Sequence, residues 1–168
     1  MARILRNVVE SGVLQTYFDQ RFDTPTVAGG YGSMSQNPLP NGTGYLLFSV
    51  TFTPKKIGST LMIEADTYGR ETANSGDIFL SSVEKDSDTN ALAVGFQGKA
   101  NDGASLNTAS KTLLFHPFVT TSLTPIDFRI RCGMDGGNTF VLNTIQSTAA
   151  AFTHSQQGSW IRIIEYGV

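Results

Sequence analysis

The chain has 168 residues, 40% of them hydrophobic and 15% charged, with a formal net charge of −2. That length supports one compact domain with a substantial core and is short for two. The low charge, with Lys and Arg scattered singly or in pairs, excludes the clustered cations that duplex nucleic acid requires, and no apolar run is long enough to span a membrane.

Residues 1–24 stand apart. Val9, Val13, Leu14, Tyr17, Phe18 and Phe22 recur at three- and four-residue spacings, which predicts an amphipathic helix of about three turns or, alternatively, an extended arm. Arg6 and Glu10 interrupt the early apolar residues, so no signal peptide is expected here. Val9, Leu14, Phe18 and Phe22 are the residues expected to anchor the segment on a partner. Residues 25–44 carry Pro25, Pro38, Pro40 and five glycines, a breaker density that predicts a linker or a wrapping loop.

A strand-forming domain is expected over residues 45–168. Leu46, Phe48, Val50 and Phe52 alternate with Tyr45, Leu47, Ser49 and Thr51 until Pro54 stops the run. Leu61, Ile63 and Ala65 alternate in the next strand. Shorter strands follow at Ile78–Val83 and Ala91–Phe96, then Leu113–Val119, where Pro117 favours an edge position or a bulge. Ile126, Phe128, Ile130 and Cys132 face one way, and Asp127, Arg129 and Arg131 the other. Asp135-Gly136-Gly137-Asn138 is a hairpin turn. The closing stretch, Gly158 to Tyr166, is apolar on both parities, so it is expected to lie within a sheet and to be covered on both faces. Short strands joined by Gly-, Asn- and Pro-rich turns predict an all-β jelly-roll sandwich of about eight to ten strands. Its expected core holds Phe48, Val50, Leu61, Ile63, Phe128, Ile130, Cys132, Ile161 and Ile163. The spare parity, Tyr45, Leu47, Trp160 and Ile164, is expected at a subunit interface.

Candidate chemistry is sparse. Asp86, Asp88 and Asn90 match the first half of a calcium loop, but Ala91 replaces the turn glycine and Gln97 stands where the closing acid belongs. A solvated acidic turn is the expected reading. His116 and His154 are the only histidines, and neither lies beside a nucleophile and an orienting acid. No catalytic residue, metal or other cofactor is expected.

Four pieces, in order, resemble one group of proteins. They are Pro40-Asn41-Gly42-Thr43-Gly44 leading to a strand that ends Val50-Thr51-Phe52-Thr53-Pro54-Lys55, then Ser59-Thr60-Leu61-Met62-Ile63-Glu64, then Asn90-Ala91-Leu92-Ala93-Val94-Gly95, and finally Phe128-Arg129-Ile130-Arg131 with the terminal Ser159-Trp160-Ile161-Arg162-Ile163-Ile164-Glu165-Tyr166. Residues 38–168 thereby resemble the C1q/TNF-like jelly-roll heads of tailed-bacteriophage fibres and related virion proteins, which often finish on a Ser-x-Ile-x-Val-x-Glu strand. The resemblance implies a homotrimer of ten-stranded jelly rolls in a virion. It transfers no ligand residues. It implies a short tail fibre or spike head that contacts a host glycan or protein, while the periodicity change at residues 1–24 and the breaker-rich stretch after it predict attachment to other virion proteins through the N-terminal segment. Little chain precedes Tyr45 to make the long shaft of such fibres, which favours the alternative of a capsid decoration protein. A polysaccharide-degrading spike ranks below both.

Overall fold

The computed structural model describes residues 12–28, 39–71, 78–98, 109–135, 139–143 and 158–167. Among them run ten strands: β1 (Val13–Arg21), β2 (Thr26–Val27), β3 (Tyr45–Phe52), β4 (Thr60–Glu71), β5 (Ile78–Lys85), β6 (Ala93–Gly98), β7 (Ala109–Val119), β8 (Ile126–Met134), β9 (Phe140–Leu142) and β10 (Ser159–Tyr166). All pair antiparallel in two sheets.

The first sheet has the order β1-β10-β4-β9-β2, with β7 also on β4. β7 lines β4 from Thr60 to Arg70, so β10 (opposite Thr60 to Asp66) and β9 (opposite Gly69 to Glu71) share the other edge of β4 at different heights. The second sheet is β3-β8-β5-β6. With the short β2 and β9 set aside, one sheet holds the first, last, third and sixth strands and the other the second, seventh, fourth and fifth. That interleaving is the jelly roll.

The alternation in the sequence determines which faces meet. All nine expected core residues are buried in the single large cluster between the sheets. Phe128 anchors it, its ring edge-on to Phe118 with centroids 5.7 Å apart. β10 sends Ile161 and Ile163 inward and ends this inner row in two buried polar residues, Ser159 and Glu165. Both are satisfied. Tyr68 N–H donates to Ser159 Oγ at 3.1 Å, and Ser159 Oγ donates to Asn143 Oδ1 at 2.7 Å. Glu165 accepts from the Pro54–Gly58 turn region. The motif's polar ends therefore pin the two ends of an apolar strand.

Several expectations are corrected. Residues 13–21 are not a helix outside the domain but the edge strand β1, paired with β10 from Val13 to Arg21. Gln15, Tyr17 and Asp19 share the row of Glu165, Ile163 and Ile161, whereas Thr16, Phe18 and Gln20 share that of Ile164, Arg162 and Trp160. A period of two thus underlies the spacings of three and four, and cross-strand pairing decides between them. Residues 25–44 are likewise not all linker. Thr26 and Val27 pair with β9, Leu39 is buried against Leu80, and Gly42 N–H reaches the Glu84 carboxylate at 3.1 Å. The closing strand is buried on one face only, since Trp160 and Ile164 are half-buried and Arg162 and Tyr166 exposed. Pro117 does sit on an edge: β7 pairs with β4 and, among the described residues, with no other strand. The hairpin turn expected after Asp135 lies outside the described residues, as do Val9 and His154.

Candidate functional site

Among the described residues, the outer face of the first sheet carries several exposed large apolar side chains. Its rows follow from the strand register. Thr16, Ile164, Met62 and Pro117 form one row across β1, β10, β4 and β7. Phe18, Arg162, Glu64 and Phe115 form the next, and Gln20, Trp160, Asp66 and Leu113 the one after. Tyr166, Thr60 and Val119 continue the face toward one end. Phe18 and Phe115 are each 57% exposed, and Leu113, Val119 and Tyr166 are exposed as well. Phe22, just past the end of β1, is also exposed.

Polar groups on this face are neutralised within it. Arg162 Nε donates to Glu64 Oε2 at 2.6 Å, and the Arg162 guanidinium lies 5.9 Å from the centre of the Trp160 ring. The Phe18 and Trp160 rings are 6.3 Å apart. Tyr68 donates from its hydroxyl to Asp66 Oδ2 at 3.1 Å. Glu64 and Asp66, although on an outward row, are buried beneath their aromatic and cationic neighbours. The face therefore presents apolar surface around one closed ion pair, Arg162–Glu64, which suits contact with another protein surface more than with bulk water.

The four expected interface residues separate. Trp160 and Ile164 sit on this face, two positions apart on β10. Tyr45 belongs to the opposite sheet and packs in part against the core. Leu47 is 2% exposed and belongs to the core. The cause is a register shift between Leu46 and Phe48, which places both Leu47 and Phe48 inside. Of the expected anchor residues, Phe18 and Phe22 are exposed and Leu14 is half-buried. Phe115, Leu113 and Met62 complete the face, and the sequence reading missed them. Leu113 to Val119 is apolar on both parities, so only its register against β4 tells which residues point out.

The calcium candidates are committed elsewhere. Asp86 Oδ1 is 2.6 Å from Arg129 Nη2, and Asp88 Oδ1 is 2.7 Å from Lys85 Nζ. Asn90 pairs through its backbone with Pro40. Among the described residues no group of three or more His, Cys, Asp or Glu side chains is placed to hold a metal ion. His116 lies opposite Ile63, where burial lowers its pKa from the ordinary value. Among the described residues no helix is long and apolar enough to cross a membrane.

No family model matches the chain, and no curated protein matches it in sequence. Solved structures do. The chain superposes on the TNF Eiger from S. frugiperda with a TM-score of 0.51 at 8% identity, covering 90% of this chain and 92% of that one. It also superposes on infectious bursal disease virus VP2, from a subviral particle, with a TM-score of 0.50 at 12% identity. That match covers 91% of this chain but 33% of VP2, so the chain spans about a third of its length. At such identities the likeness concerns architecture, and the chain is an all-β, TNF-like jelly roll.

Proposed function

We propose that this protein is a virion structural protein whose jelly roll assembles as a homotrimer through the outer face of the first sheet, as the head of a short bacteriophage tail fibre or spike contacting the host surface. The observation that carries the oligomer is this outer face, on which Phe18 and Phe115 are exposed and Trp160, Ile164 and Met62 are half-buried beside the Arg162–Glu64 pair. Monomers rarely leave such a patch open, and each large side chain covered there contributes about 1.5–3 kcal/mol before the cost of association. The virion role is supported by the order of sequence pieces that resemble phage heads and by a fold also found in infectious bursal disease virus VP2 of a subviral particle. Phe18 and Phe22, expected to anchor the segment on other virion proteins, are assigned in this reading to the trimer face instead.

The role is binding and assembly, not catalysis. In support, the buried polar groups are engaged in the architecture: Glu165 with the turn before β4, Glu84 with Arg131, and the hydroxyls of Thr67, Ser81 and Thr112 with one another. Sedimentation equilibrium at micromolar concentration tests the oligomer. A trimer mass is expected, and a stable monomer would refute it.

The second reading is a capsid decoration protein, favoured by β1. A segment expected to tether the head to a fibre is instead built into the sandwich. Gold-labelled protein in electron micrographs of particles separates the two, since label at the tail supports the fibre head and label over the capsid lattice supports decoration.

A further inference from the structure

A cleft of about 380 Å³ opens at one end of the sandwich, between Lys85 and Asp86 at the end of β5 and the loop from Thr121 to Thr124 that joins β7 to β8. Phe118 and Ile126 supply its apolar lining. The volume falls within the range of small-molecule sites, which are usually preformed. Both walls are held in place. Thr120, at the root of the loop, exchanges backbone hydrogen bonds with Gly58 and Ser59 at 2.9 and 3.0 Å. Asp86 N–H donates to Asp127 O at 3.0 Å, tying the β5 wall to β8. Phe118 is fixed by its edge-on contact with Phe128.

The charges that face the cleft are compensated. Lys85 Nζ is 2.7 Å from Asp88 and lies 5.8 Å from the centre of the Phe118 ring. Asp86 is paired with Arg129 at 2.6 Å. Asp127 accepts from the Thr51 hydroxyl at 2.5 Å. Ser122 and Thr124 add two hydroxyls, 2.6 Å apart. An anion such as phosphate would have to take Lys85 from Asp88 in the presence of two further carboxylates. A wholly apolar ligand would strip water from those carboxylates and hydroxyls without replacing its hydrogen bonds. A neutral ligand with an apolar face and several hydroxyls meets both demands, because it can lie along Phe118 and Ile126 while donating to Asp86 and Asp127.

We propose that the cleft between Lys85–Asp86 and Thr121–Thr124 is a saccharide-binding site. The inference rests on the cleft alone and on neither the trimer nor the virion reading. Saturation-transfer difference NMR on the full chain tests it, with glucose, galactose, mannose, N-acetylglucosamine and rhamnose as probes at millimolar concentration. At least one should give a saturable signal. Thr121→Trp, at an exposed rim position that accepts a large side chain, should weaken that signal at least tenfold with the unfolding temperature unchanged. Ser122→Ala should weaken it by less, which guards against a fold defect in the Trp variant. No signal from any of the five sugars, or a signal that Thr121→Trp leaves intact, overturns the proposal. So does binding of sodium phosphate that Lys85→Ala abolishes, because it would make the cleft an anion site.

Discussion

Ser59 Oγ donates to the Glu165 carboxylate at 2.6 Å, joining the residue before β4 to the penultimate residue of β10. The same carboxylate accepts from the Lys55 and Lys56 backbone N–H groups at 3.0 and 3.1 Å and from Gln15 Nε2 at 2.7 Å. One buried acid thereby fastens β1, the β3–β4 turn and β10 together. Burial pushes its pKa up, but the Ser59 hydroxyl, the Lys55 N–H, the Gln15 amide and the Lys56 N–H outweigh burial and hold it below the usual carboxylate value.

Glu165→Gln should therefore destabilise the fold by about 2–3 kcal/mol at neutral pH, because the new amide N–H₂ meets donors where the carboxylate met them as an acceptor. Since the folded pKa is the lower one, the carboxylate's contribution is complete above the unfolded value of about 4.3 and is lost as pH falls through the folded pKa. Urea midpoints measured from neutral pH into acid should fall more steeply for the natural protein than for Glu165→Gln. Parallel curves would assign the acid sensitivity elsewhere.

Arg131 Nε lies 3.1 Å from the buried Glu84 carboxylate, and its Nη1 donates to Gly44 O at 2.9 Å. Arg131→Met leaves Glu84 without its cation, and a loss of about 3–5 kcal/mol is expected. Glu84→Gln in the same chain should recover part of it. Additive losses in the double-mutant cycle would show that the two residues do not act as a pair.

Phe18→Glu with Phe115→Glu places like charges in the row that already holds Glu64. The pair should convert the proposed trimer to a folded monomer at micromolar concentration, read by sedimentation velocity. Ser49→Glu on the opposite sheet, also an exposed position, should leave the mass unchanged.

Cys132 is fully buried among Phe and Ile side chains, and burial pushes its thiol far above the ordinary value. The thiolate is the reactive form, so a disulfide reagent should modify Cys132 only as fast as the protein unfolds. Rapid labelling under native conditions would contradict the placement of β8 in the core.

Much of the architecture was legible from period-two alternation. Ile126, Phe128, Ile130 and Cys132 declared the inner face of β8, and the Ser-to-Glu frame of β10 marked a strand inside a sheet. Other features depended on partners distant in sequence. Ser81 is buried because the hydroxyls of Thr67 and Thr112 meet its own from β4 and β7, partners that no local pattern shows. Leu47 read as outward because one irregular step in β3 cannot be seen in a hydrophobicity pattern. In β1, Val13, Tyr17 and Phe18 fit a helix as well as a strand, and the deciding partner lies at the other end of the chain. The candidate face was half legible: β10 showed Trp160 and Ile164 as spare, whereas Phe115 and Leu113 emerge only from the β4–β7 register.

The position of β10 between β1 and β4 has a kinetic consequence. Its register joins Thr16 to Ile164 and Ile163 to Ile63, contacts that span most of the chain. Such high contact order places folding in the slow, millisecond-to-second regime of all-β domains. During synthesis the edge of β4 stays open until β10 emerges, and an open strand edge beside apolar residues pairs readily with other chains. The yield of soluble protein should therefore depend on temperature and expression rate more than the stability of the finished sandwich does.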